Sequence, residues 1–388
     1  MICHYVFDLA AETRRCRIYL SQDNTLPKEA SLCSVLQTNG IEYDAFCDDF
    51  GPMNLLSIVR FIHALDQQAK DSVCDTIVYA ADSGRRALTN AVFLLGAYML
   101  IMLDMSPTAV AERFSTLDAV LLEPYRDASL NPPDFGLSLL DCWSGIHRAM
   151  AYRWLARPSH SSSHVWGSIN IANYAQYDDP LNADLHEVVP GKVIAFRGPR
   201  DLHGAAYRDR GGLRHFSPSF FVPILRELGA TAVLQLDDIS YDASPFVAAG
   251  IAHDCLPTDD TALPTTVAAA RFFAVVDVAP GPVAVHCATG LGRTGTLIAL
   301  YLMRRCGFAA REAMGWLRVM RPGSVIGEQQ HFLEAVGERL RGGPVAAVVL
   351  RPLPAGGLAA ARRLAAEGAR RRAARVSGMA RPAPLRSA

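Results

Sequence analysis

The chain has 388 residues, half of them apolar and a fifth charged, with 38 basic and 38 acidic side chains. That length suits two or three domains, and that composition excludes disorder over most of it. A formal net charge of zero excludes a uniformly basic nucleic-acid binder, so no nucleic-acid partner is expected.

The best candidate for a membrane span, residues 91–103, ends at Asp104 after 13 residues, short of the ~20 that a bilayer requires. No basic segment leads into an apolar stretch at the N-terminus. A soluble intracellular protein with no membrane partner is therefore expected. The nine cysteines show no C-x-x-C spacing and their number is odd, which speaks against a disulfide framework or a structural zinc site.

In chain order, residues 53–69 carry Leu55, Ile58, Val59, Ile62 and Leu65 on one helical face. Residues 76–80 read as a buried strand leading into an apolar helix over 89–103. Ser106 and Pro107 start another helix as cap and first residue, and a further helix covers 138–154. Residues 156–164 form a polar loop before a connecting segment at 168–181. Beyond it, strands are expected at 193–196, 232–236, 251–256 and 282–286. Helices are expected at 220–228, 265–278, 292–305 and 310–320. Strands alternating with helices imply a largely parallel sheet covered on both faces. After Gly342 the chain holds nine arginines, no lysine and one acid, Glu367. That composition reads as a disordered basic tail, with Arg370, Arg371 and Arg372 as the alternative of a nuclear-targeting or acidic-partner contact.

The chemistry is concentrated between the expected strand at 282–286 and the helix after it. His286 and Cys287 precede Ala288, Thr289, Gly290, Leu291 and Gly292, and Arg293 and Thr294 follow. A cysteine, five residues, an arginine and a hydroxyl suit covalent hydrolysis of a phosphate monoester. The glycines let the backbone curl so that successive N–H groups face one concavity, and the helix N-terminus adds positive potential. Arg293 can hold two phosphate oxygens with its planar fork. The same field favours thiolate over thiol at Cys287. Thr294 can donate to the sulfur as it leaves, and His286 orders the loop. The leaving alkoxide needs an acid, either Asp259 or Asp260. Gln329 and Gln330 are candidates for placing the hydrolytic water. No metal or organic cofactor is implied, because the loop itself supplies the positive charge.

His286 to Gly295, then 296–298 and 321–327, resemble the cell-division-cycle fourteen family, the mitotic-exit members of the dual-specificity protein phosphatases within the cysteine-based tyrosine phosphatase superfamily. Residues 50–55, 90–94, 125–128 and 194–199 extend the resemblance over roughly 40–335. The resemblance implies an α/β fold of two tandem dual-specificity-phosphatase-like domains joined by a linker helix. Each domain would have a mostly parallel sheet flanked by helices. The divisions are 1–167 for a non-catalytic recognition domain, 168–181 for the linker, 182–341 for the catalytic domain and 342–388 for the tail. An internal repeat agrees: Val78, Tyr79 and Ala80, with Arg86 six residues on, mirror Val285, His286 and Cys287 with Arg293. Ala80 cannot act as a nucleophile.

The resemblance further implies phosphorylated protein substrates, preferably phosphoserine followed by proline with a basic residue downstream, and also phosphotyrosine. It implies reversal of cyclin-dependent-kinase phosphorylation in nucleus and cytoplasm, with nucleolus, spindle pole or centrosome as further places. The family's acidic groove maps onto Asp127 and Asp178. Several positions depart from the pattern. Ala175 replaces an acid of the groove, Ala288 and Thr289 replace Lys-Ala, and Glu328 stands where proline is usual. One extra residue before Pro264 leaves both aspartates open as the acid, with Asp259 favoured. Two rivals are a phosphoinositide phosphatase, disfavoured by uncharged Ala288 and Leu291, and a phosphopeptide scaffold, disfavoured by intact Cys287, Arg293 and Thr294.

Overall fold

A computed structural model of the protein describes residues 2–11, 14–22, 25–27, 33–36, 38, 40–129, 132–159, 164–257 and 263–342. The first sheet opens with an antiparallel pair, β1 (Ile2–Ala11) and β2 (Arg14–Gln22), not anticipated from the sequence. A bulge between Tyr5 and Phe7 puts the adjacent Val6 and Phe7 inside together, which hides the two-residue period. β3 (Ser34–Leu36) follows, then α1 (Leu55–Asp71), whose cap Asn54 accepts from the Ser57 N–H at 2.9 Å. α1 buries the expected apolar stripe together with Phe61. β4 (Thr76–Ala81) lies parallel between β2 and β3.

α2 (Arg85–Leu103) begins earlier than residue 89 because Gly84, at φ 102°, turns the chain directly off the strand. Its 19 residues are long and apolar enough to cross a membrane, which overturns the expectation drawn from residues 91–103. Here the helix is a core element, with residues 88–101 all buried. α3 (Pro107–Arg113) has the expected Ser106 cap, and a short 3-10 turn spans Ala119–Leu121. In α4 (Leu139–Ala151), Ser138 and Asp141 form a reciprocal capping box. The helix stops short of residue 154, where Arg153 turns left-handed at φ 58°.

β5 (Val165–Trp166), β6 (Ile169–Asn170) and α5 (Ile171–Asp178) connect the two sheets. Of the expected polar loop, residues 160–163 lie outside the described residues, as do the tail residues 343–388.

The second unit contains β7 (Leu185–Val189), β8 (Val193–Arg197) and the hairpin β9 (Tyr207–Arg210) and β10 (Leu213–Phe216). Then come α6 (Pro218–Glu227), β11 (Ala232–Gln235), α7 (Ser244–Ala248), β12 (Ala252–Cys255) and α8 (Thr266–Val278). β13 (Val283–Cys287), α9 (Gly292–Arg305), α10 (Ala310–Met320) and α11 (Glu328–Gly342) complete it. The sheet order is β12-β11-β13-β8-β7, parallel except for β7. β13 is central and wholly buried, and apart from His286 it is apolar.

The units are fused through α4 and α10. A Cβ on Gly145 would stand 2.5 Å from the Glu312 carbonyl oxygen, and one on Gly315 would stand 2.8 Å from the Cys142 Cα. Two glycines thus let the helix backbones touch. One apolar cluster runs through both sheets, from Val6 to Val336. Trp316 on α10 donates to the Val188 carbonyl at 2.9 Å, anchoring the same helix to β7.

Candidate active site

Cys287 is the last residue of β13 and Arg293 the second of α9, so five residues turn between a buried strand and a helix N-terminus. Gly290 makes the turn at φ 69°, and a Cβ there would lie 2.1 Å from the Phe196 carbonyl oxygen. No other residue fits this position.

The carbonyls of Cys287, Thr289, Gly290 and Leu291 are occupied. That of Cys287 accepts from Gly198 N–H at 3.0 Å, and that of Leu291 from Gly295 at 3.0 Å and Val325 at 3.3 Å. Arg321 donates through Nε to the Gly290 carbonyl and through Nη2 to the Thr289 carbonyl, each at 2.9 Å. The N–H groups are in the opposite state. Among the described residues, those of Ala288, Thr289, Gly290, Leu291 and Gly292 donate to no protein group. Engaged acceptors and idle donors in one turn are what an anion requires.

Arg293 is buried and donates through Nη1 to the Leu236 carbonyl at 3.0 Å. Thr294 Oγ1 is buried and has no hydrogen-bond partner among the described residues. His286 is fully buried, with Nε2 at 2.8 Å from the Tyr241 hydroxyl. Burial, reinforced by the positive charges of His253, Arg200 and Arg293 and opposed only by the Cys287 backbone, lowers its pKa to about 3. His286 is therefore neutral.

The two glutamines separate. A Cβ on Gly292 would stand 3.1 Å from the Gln329 amide nitrogen, so Gln329 covers the loop while its oxygen accepts from Ile326 N–H. Gln330 is buried elsewhere, accepting from Arg318 at 2.6 Å and donating to the Gly327 carbonyl. Asp259 and Asp260 lie outside the described residues.

Asp178, at the end of α5, lines a cleft of about 310 Å³ with Glu42, Asp44, Asp179, Arg60 and Ala175. Its carboxylate also accepts from Asn54 Nδ2 at 3.1 Å and from His186 Nε2 at 2.8 Å. Asp127, expected in the same groove, is placed differently. It is buried away from the cleft lining, where its carboxylate accepts from the Gly327 N–H at 2.6 Å and so ties the first unit to the loop before α11.

Asp237, Tyr241, His186 and Arg321 also stand close to the loop or the cleft, though no local motif marks them. Asp237 follows β11 and is buried near Arg293 and Arg200. Burial raises its carboxyl pKa against the pull of Gln235 and those two arginines. An acidic residue directly after a strand pointing at the loop was the available signal.

In the first unit, β4 and α2 repeat the arrangement of β13 and α9, with Arg86 in the first turn of α2. Arg86 is held in ion pairs with Glu123 at 2.8 Å and Asp48 at 3.0 Å, and Ala80 stands at the position of the cysteine. A phosphatase-type strand, loop and helix occurring twice, with the cysteine only in the second, defines a tandem dual-specificity-phosphatase fold.

Comparison with known proteins agrees. The family described as "Dual specificity protein phosphatase, N-terminal half" matches residues 13–149. The one described as "Polymorphic toxin system, DSP-PTPase phosphatase" matches residues 220–307. The human "Dual specificity protein phosphatase CDC14C" is 36% identical over 310 residues, 79% of this chain and 66% of that one. The Danio rerio "Dual specificity protein phosphatase CDC14AB" is 33% identical over 328 residues, 84% of this chain and 52% of that one. The Saccharomyces cerevisiae "Tyrosine-protein phosphatase CDC14" is 29% identical over 334 residues, covering 84% and 58%. The chain thus spans between about half and two-thirds of the length of these relatives. It belongs to the CDC14 family of dual-specificity phosphatases.

Proposed function

We propose that this chain is a protein phosphatase that hydrolyses phosphoserine, phosphothreonine and phosphotyrosine through a phosphocysteine at Cys287, preferring phosphoserine followed by proline. The Cys287 thiolate attacks phosphorus, forming the S–P bond as the P–O bond to the substrate side chain breaks. The departing alkoxide takes a proton from Asp259 or Asp260. Water placed by Gln329 then gives a proton back to that aspartate as it attacks phosphorus, the S–P bond breaks, and Thr294 donates to the sulfur departing as thiolate while inorganic phosphate leaves. The idle N–H groups of residues 288–292 and the guanidinium of Arg293 hold the phosphoryl oxygens throughout.

The observation that carries this reading is the loop with its carbonyls engaged and its N–H groups uncommitted, directly after Cys287. The cleft at Asp178, with Glu42, Asp44 and Asp179, supports a basic residue downstream of the phosphoserine. The same reading assigns 1–167 to recognition, 168–181 to the linker, 182–341 to catalysis and 342–388 to a tail. It places the protein in nucleus and cytoplasm, reversing cyclin-dependent-kinase phosphorylation.

The test is a labelled phosphoserine-proline-x-lysine peptide. Wild-type enzyme quenched during turnover should carry acid-stable label, and Cys287→Ser should carry none. Of Asp259→Asn and Asp260→Asn, the true acid should lose about 100- to 10,000-fold in kcat and its neighbour far less. No label in wild type would overturn the mechanism.

A further inference from the structure

His186, on β7, joins the cleft to the phosphate loop. Its Nε2 lies 2.8 Å from Asp178, and its Nδ1 lies 2.9 Å from Nη1 of Arg321. A guanidinium only donates and a carboxylate only accepts, so the partners fix the neutral tautomer. Nε2 carries the proton given to Asp178, and Nδ1 accepts from Arg321. The same Nη1 also donates to the Asp184 side chain at 2.8 Å, while Nε and Nη2 hold the carbonyls of Gly290 and Thr289. Pro322, next to Arg321, lines the cleft. His186 and Arg321 are both almost wholly buried, so water does not break the chain between the cleft carboxylate and the two carbonyls.

Each of those carbonyls shares a peptide plane with a loop donor: that of Thr289 with the Gly290 N–H, that of Gly290 with the Leu291 N–H. Hydrogen bonds in series polarise one another. A cation on Asp178 draws its negative charge away from the His186 N–H. Nδ1 then becomes a poorer acceptor, and Arg321 gives more of its donor strength to the two carbonyls. The Gly290 and Leu291 N–H groups become stronger donors toward the phosphoryl oxygens.

We propose that Asp178, His186 and Arg321 form a positioning relay, so that a basic residue of the substrate seated in the cleft raises kcat as well as affinity. The proposal rests on the reading of the cleft given above and adds a rate effect that simple docking would not produce.

The experiment compares phosphoserine-proline-x-lysine with phosphoserine-proline-x-alanine on the full chain. In wild type, lysine should lower KM and raise kcat by about fivefold, the low end of coupling between sites. His186→Asn reaches Arg321 but is too short to reach Asp178. It should keep the KM difference and bring the two kcat values within about twofold, well below such coupling. His186→Gln, long enough to accept from Arg321 and donate to Asp178, should restore the kcat difference. Should the asparagine variant misfold, His186→Phe keeps the ring volume, makes neither bond and has the same expected outcome. A lysine effect on KM alone in wild type, or a kcat effect that survives both His186→Asn and His186→Phe, overturns the relay and leaves the cleft reading intact. A wild type indifferent to lysine in both constants overturns the cleft reading and the relay with it.

Discussion

The hydroxyl of Tyr241 lies 2.8 Å from Nε2 of His286 and 2.8 Å from Nε2 of His253, so one phenol joins the residue before the cysteine to β12. Tyr241→Phe keeps the ring and leaves a buried imidazole nitrogen unsatisfied. It should cost about 1–3 kcal/mol of stability, read as a lower urea midpoint. kcat should fall while KM stays close to wild type, because the loop loses order and the cleft is untouched.

His286 is neutral in the native chain, with a pKa near 3, whereas the unfolded chain protonates below about 6.5. Its contribution to stability is therefore complete above about 6.5 and is lost as pH falls toward 3. His186, also buried and shifted down mainly by burial, acts in the same direction. The slope from one such group is at most about 1.4 kcal/mol per pH unit. Urea midpoints between pH 7 and 4.5 should fall less steeply in His286→Asn than in wild type, and parallel curves would reject the assignment.

Gly290 and Gly292 sit in the same loop yet should fail differently. Gly290→Ala puts a Cβ against the Phe196 carbonyl in a left-handed position. It should cost at least about 1–2 kcal/mol and abolish formation of the phosphoenzyme. Gly292→Ala meets only the end of the Gln329 side chain. It should fold normally, form phosphoenzyme at near wild-type rate and release phosphate slowly, which a burst measurement with a chromogenic phosphate ester separates.

The α4–α10 contact gives a stability prediction remote from the chemistry. Gly145→Leu or Gly315→Leu forces the helix backbones apart and should cost about 1–3 kcal/mol or more by overpacking. Wild type, with one core across both units, should melt in a single calorimetric transition.

The loop after Cys287 was legible because Cys287, Arg293 and Thr294 are neighbours in the chain and the strand before them is apolar up to His286. α1 was legible by its apolar face. β1 was not, because its bulge breaks alternation, and neither was β9, whose four residues are all exposed. Arg321 read only as part of the 321–327 segment that carries the resemblance. Its work depends on Thr289, Gly290, Asp184 and His186, which folding brings to it from far along the sequence. Asp127 read as a groove acid by resemblance, because nothing local says that Gly327 needs an acceptor.

The pair of glycines at the α4–α10 seam has a mechanical consequence. With backbone set against backbone, no side chain at this seam can give way, so α4 and α10 should move as one piece. On the function proposed above, a substrate segment would have to fit the cleft at Asp178 as it stands.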